Sequence, residues 1–252
     1  MNVEDPRFPP LITGHSIAAP HRVFDTACAS AASGALGAAD LVWARNTNRI
    51  DLALILEPDV PRARAMEIVP LFEVAVIEAV GALMPPQTAV QLRWPDELLV
   101  NGGVAGRFRF AMADCAQGDV PDWLVAGVDI VLGEQHPGGE AGIAKERTSL
   151  LAEGAGEKNR SDFLEVISAF VLSWIDTWGE SGLHNVHDAW IGRVEGHGSD
   201  GALFGAIGRA NVLGLDDELR LLVRGGDGRM HALPLAELVA WLDAKTAGAV
   251  GA

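Results

Sequence analysis

The stretch RWPDELLVNGGVAGRFRF, residues 93–110, decides the fold. Asn101 and Gly102 supply the positive φ that a tight hairpin turn requires, and β-prone residues flank them on both sides. Two antiparallel strands are therefore predicted to meet at this turn. The alternation Arg107, Phe108, Arg109, Phe110 gives the second strand one charged and one aromatic face. Such a strand is expected to be half exposed, with its phenylalanines turned inward.

Outward from the hairpin, strands and helices alternate without a strict βαβ period. Asp25 or Thr26 is placed to N-cap a helix of small residues over 27–39, its side-chain oxygen satisfying an orphan amide. Residues 41–44 and 51–56 read as strands separated by the polar link 45–49, RNTNR. Residues 67–83 are apolar at helical spacing, with Pro70 marking the first turn. Residues 123–132 read as a buried strand. In residues 161–178, Phe163, Ile167, Phe170, Trp174 and Trp178 recur at spacings of three and four, which predicts a long helix with a packing stripe, ended by Gly179 in a left-handed cap. A composition shift at residues 184–189 suggests a boundary. Beyond it, short strands at 190–194, 203–207, 219–223 and 231–233 alternate with glycine turns such as 225–228, and a terminal helix is expected over 235–244. The expected class is α/β (α+β): a domain over residues 1–185 with a mixed sheet flanked by helices, and a small β-rich domain with a terminal helix over 186–252.

Composition excludes several functions. A chain of 252 residues with 49% hydrophobic content can bury a sizeable core. Its formal net charge of −15 would be repelled by a phosphate backbone, and no basic stripe offsets it, so nucleic acid is not an expected partner. No apolar run reaches the ~18 residues of a spanning helix and no signal-peptide pattern opens the chain, so a soluble cytoplasmic protein is expected. Cys28 and Cys115 lie far apart without CxxC spacing, which suggests neither a disulfide framework nor a zinc site. His184, His187 and His197 lack a completing carboxylate or cysteine, and no metal site is assigned to them. His136 to Gly139, HPGG, reads as a turn.

Four short motifs, in order, carry a resemblance. Asp25 and Thr26 match a DSTN opening, and LALILEP at residues 52–58 matches a second-strand signature. Arg93, Trp94, Pro95 and Asp96 match KWPND, with GVAGRF at residues 103–108 standing for KLAGIL. Gly127, Val128, Asp129, Ile130 and Val131 match GIGIN. Together these resemble the biotin protein ligases of the biotin/lipoate ligase family, over roughly the first three quarters of the chain. The resemblance implies a biotin/lipoate ligase-like sheet, a small C-terminal SH3-like barrel, and a ligand site at Thr26, Arg45, Arg93, Trp94, Asp96, Gly106, Arg107, Gly127 and Asp129. It also implies a small carboxylic acid such as biotin or lipoate as partner, with an acceptor protein, ATP and Mg²⁺ if the activity is retained, and leaves a homodimer open. The N-terminal helix-turn-helix of the longer repressor-ligases is not expected.

The chain departs from this pattern where the chemistry is concentrated. Acyl-adenylate formation brings a carboxylate against the α-phosphate of ATP, so the site must supply cations and amide donors. Gly103 stands in the place of the KLAGIL lysine, Val131 in that of the GIGIN asparagine, and RNTNR replaces the arginine- and glycine-rich adenylate loop. If residues 103, 105, 107 and 109 share a strand face, Arg107 points to the side of the missing lysine, but ~13 Å of strand separates the two positions. Asp96, Glu97 and Asp129 add carboxylates that oppose ATP unless Mg²⁺ bridges them. Two readings follow: an ATP-dependent ligase with adapted residues, or a non-catalytic descendant that binds a metabolite or protein.

Overall fold

The computed structural model describes residues 4–18, 22–45, 48–133, 147–198 and 201–242. The HPGG turn, Asn46, Thr47, Lys145 and Lys245 lie outside the described residues.

The elements run β1 (Thr13–Ile17), α1 (Val23–Ala32), β2 (Asp40–Ala44), β3 (Arg49–Leu56), α2 (Arg62–Ala65), α3 (Ile68–Leu83), β4 (Val90–Arg93) and β5 (Glu97–Val100). They continue with β6 (Gly103–Ala113), β7 (Leu124–Val131), α4 (Arg160–Ser181), α5 (Leu183–Ile191), β8 (Ala202–Phe204), β9 (Gly208–Leu215), β10 (Arg220–Gly225), β11 (Met230–Pro234) and β12 (Val239–Leu242). A mixed sheet has the order β1-β2-β3-β7-β6-β5-β4, and β11-β10-β9-β8 form a separate antiparallel sheet.

The hairpin forms as expected, with Asn101 at φ 49° and Gly102 at φ 81°. Phe108 and Phe110 are buried and Arg107 and Arg109 exposed. The β5–β6 register slips between Leu98 and Leu99, where Leu98 faces Gly106 but Leu99 faces Val104, leaving Ala105 as the extra residue. This bulge interrupts the expected common face of residues 103 to 109. Only Arg107 and Arg109 keep it.

One face of the sheet is sealed by α3, which is buried from Ile68 through Ile77 and again at Ala79 and Val80. Its sequence is apolar all round because α4 and α5 cover its far side. On the other face, among the described residues, α1 covers part of the sheet, its Val23, Phe24, Ala27 and Cys28 packing on Val42, Ala53, Ile55 and Val125.

Several boundaries are corrected. Helix α1 begins at Val23 with no side-chain cap, so neither Asp25 nor Thr26 is the N-cap; Asp25 lies in the first turn. Gly179 lies inside α4, which runs on to a cap at Gly182, φ 67°, and starts with a capping box between Asn159 and Asp162. Residues 184–189, where the composition shift lies, are helical within α5, and that helix also takes up Trp190 in place of the expected strand. The terminal helix is absent from the described part of its span. Leu235–Leu238 form a 3-10 turn and β12 joins the large sheet, pairing parallel with Phe110 to Ala113 of β6. Strand β5 occupies that flank of β6 only from Gly103 to Arg107, so β12 fills the remainder. Strands β1, β4 and β9 carry no sequence expectation; β1 and β4 are short, half-exposed edges of the sheet without clean alternation.

Candidate functional site

The part of the sheet that α1 leaves uncovered holds a cleft of about 500 Å³, lined by Arg49, Arg93, Glu97, Arg107, Asp129 and Arg147 over a floor of Val104, Ala105 and Gly106. The register explains the charge. Glu97 faces Arg107, Arg107 faces Asp129, and Asp129 faces Asp51, so one lateral row crosses β5, β6, β7 and β3. Adjacent strands lie ~4.8 Å apart, which keeps each neighbour within ion-pair reach.

Three arginines of the cleft are held by carboxylates. Arg49 donates to Asp129 at 2.7 Å, and Arg107 donates to Asp96 at 3.1 Å and to Glu97. Arg93 donates to both carboxylate oxygens of Glu195, at 2.7 and 3.1 Å, and approaches Glu97 at 3.5 Å. Glu195 comes from the connection leading to the C-terminal sheet, docked on β4 by hydrogen bonds of Leu92 to Arg193 and Glu195. Beside the row, Arg109 sits 4.3 Å over the Phe24 ring and donates to Asp25 at 3.0 Å. Asp51 is pushed up to about 7, first by burial and then by the facing Asp129, with Asp25 adding to it against the opposing pull of Arg49 and Arg109.

The glycine floor has a steric cause. A Cβ on Gly106 would lie 2.8 Å from the Asp129 carbonyl oxygen and 3.0 Å from Ile130 Cγ1. Because the obstacle is backbone in a paired strand, Gly106→Ala is expected to cost about 1–3 kcal/mol. Denaturant unfolding checks this, and an unchanged midpoint would mean the β6–β7 ladder yields at that point.

Of the positions implied by the resemblance, Arg93, Asp96, Gly106, Arg107 and Asp129 converge here. Arg45 lies elsewhere, donating to Ser16 and Asp5 above Trp43. Thr26 is within α1. Trp94 packs edge-on to Trp190, and with Pro95 it borders a separate apolar cleft near Phe204 and Ile207. Gly127 makes room for α1, since a Cβ there would lie 2.7 Å from Phe24. Gly103 opens β6 as the buried first residue after the turn. The histidines serve apart: His187 accepts from Leu215 N–H, while His197 Nδ1 lies 3.3 Å from the Val212 carbonyl. Sequence reasoning passed over Asp51, Glu195 and Arg147. The first two matter only through partners on other elements, and the sequence around Arg147 carries no recognisable motif.

The fit of ATP and Mg²⁺ can be tested against this geometry. Among the described residues no group of three or more His, Cys, Asp or Glu is arranged to hold a metal ion. Asp96, Glu97 and Asp129 are each already bound to an arginine. Among the described residues, the carboxylates at the cleft are thus engaged by guanidinium groups and form no ready-made cation cage.

Comparison with known proteins agrees with the fold. The chain is 24% identical over 205 residues to the biotin–[acetyl-CoA-carboxylase] ligase of Paracoccus denitrificans, spanning 78% of this chain and 82% of that one. A solved biotin protein ligase-like protein of unknown function from Silicibacter sp. TM1040 superimposes with a TM-score of 0.80 at 34% identity, over 93% of this chain and 99% of the other. The biotin protein ligase of Aquifex aeolicus shares the fold at a TM-score of 0.66 and 13% identity, over 88% and 96% of the two chains. The family model described as "Biotin/lipoate A/B protein ligase family" matches residues 8–192, which include the whole sheet except β12 and all the lining residues of the cleft, and the chain belongs to that family.

Proposed function

We propose that the cleft is a small-molecule site that binds a carboxylic acid of the biotin or lipoate type without converting it to an adenylate. The observation that carries this reading is the pairing of Arg49, Arg93 and Arg107 with Asp129, Glu195, Glu97 and Asp96. A triphosphate entering the cleft would have to displace these carboxylates from their guanidinium partners and would meet their charge at short range. A carboxylate carries one charge and asks far less of the site. The absence of a lysine at position 103 supports the same reading.

The second reading is ATP-dependent ligation of such an acid to an acceptor protein. It is favoured by the persistence of a cleft of ligand size at the sheet face where the ligase motifs converge.

Calorimetric titration with biotin and lipoate, each with and without ATP and Mg²⁺, combined with an ATP–pyrophosphate exchange assay, separates the two. Saturable binding of one acid, unaffected by ATP and without exchange, is expected. Acid-dependent exchange would overturn the proposal in favour of the ligase.

A further inference from the structure

Arg147 is the one lining arginine of the cleft for which the described residues provide no carboxylate partner. Its backbone is fixed against β6: Arg147 forms a parallel bridge with Val104, and Thr148 N–H donates to the Val104 carbonyl at 3.0 Å. It therefore stands directly alongside the start of β6, next to Gly103, where a side chain able to carry charge is missing. Its own side chain is exposed rather than packed, so it is available from the cleft.

Resting on the reading of the cleft as an acid-binding site, we infer that Arg147 is its anion anchor, the residue that receives the oxyanion of the ligand. The other three guanidiniums are neutralised in place, and a ligand that recruited one would first have to break a pair such as Arg49–Asp129. Arg147 has no such competitor among the described residues. Its planar fork matches a carboxylate bidentately. One guanidinium without a carboxylate partner among the described residues, set beside paired ones, selects a single oxyanion, which a carboxylate or an inorganic phosphate supplies equally well in chemical terms.

The test is titration of the full chain and of Arg147→Ala and Arg147→Lys with biotin, lipoate and inorganic phosphate, at low and at high salt. Folding of each variant is verified by thermal melting. Loss of a charge-assisted contact is expected to weaken acid binding about ten- to a hundredfold in Arg147→Ala, with partial recovery in Arg147→Lys. Binding to the unmodified chain is expected to weaken with salt, and less steeply in Arg147→Ala, an effect that mere loss of packing would not produce. Acid binding of equal strength in Arg147→Ala overturns the anchor and leaves the proposed function standing. Phosphate binding that Arg147→Ala abolishes, with neither acid bound, upholds the anchor and overturns the proposed function. Silence of the unmodified chain toward all three probes overturns both.

Discussion

Phe72→Ala is expected to destabilise the protein by about 3–5 kcal/mol, close to the whole stability margin of many domains. Phe72 is fully buried on α3, with its ring 6.3 Å from Phe108 and 6.0 Å from Phe110, edge-on to both. The substitution removes the transfer free energy of the ring. It also leaves a void at the junction of helix and sheet, where α3 is enclosed by α4 and α5 and cannot settle into the space. Urea unfolding monitored by circular dichroism checks this. A loss under about 1 kcal/mol would mean that the core collapses around the void.

Glu73→Gln is expected to stabilise the protein at pH 7 by about 2–3 kcal/mol and to have little effect near pH 4. Glu73 is fully buried on α3. It accepts the Trp190 indole N–H at 2.7 Å on one carboxylate oxygen, while the other has no partner among the described residues. Burial above all raises it to about 8, with the Asp96 charge adding to the shift and the indole opposing it. A carboxyl raised above its ordinary value of 4.5 binds its proton more tightly when folded. Its contribution to stability is therefore complete below about pH 4.5 and is lost as pH rises through about 8. Glutamine retains the acceptor for Trp190 and does not titrate. Stability measured across pH 4 to 9 should accordingly fall less steeply in the variant than in the parent. Parallel curves would place the titration elsewhere, Asp51 being the other carboxyl raised toward neutrality among the described residues.

What could be read in the chain without its fold depends on how local the cause is. The hairpin follows from Asn101 and Gly102, two adjacent residues whose backbone preference needs no partner. Helices α3 and α4 follow from apolar spacing within one segment. The four family motifs lie in contiguous stretches too, and their order sufficed to identify the large sheet. The errors have the opposite character. The stretch after Leu235 favours a helix locally, yet β12 is drawn into the sheet because β6 offers an unpaired flank beyond Arg107. The stop expected at Gly179 moved to Gly182, where the backbone takes a positive φ of 67°.

The same distinction governs the site. Sequence alone determined that Gly103 and Val131 replace the lysine and asparagine of the ligase pattern and that Arg107 lies on the charged face of its strand, since residue identity and strand alternation are local facts. Tertiary structure decided that Arg107, Arg49 and Arg93 are matched by Asp96, Glu97, Asp129 and Glu195, with partners up to 102 residues away along the chain. It also separated Arg45, Thr26 and Trp94 from the cleft and brought Arg147 into it. Whether a guanidinium is free or neutralised depends on strand register and on the docking of the segment around Glu195. Those are set by burial of the core as a whole, and no window of the sequence contains them.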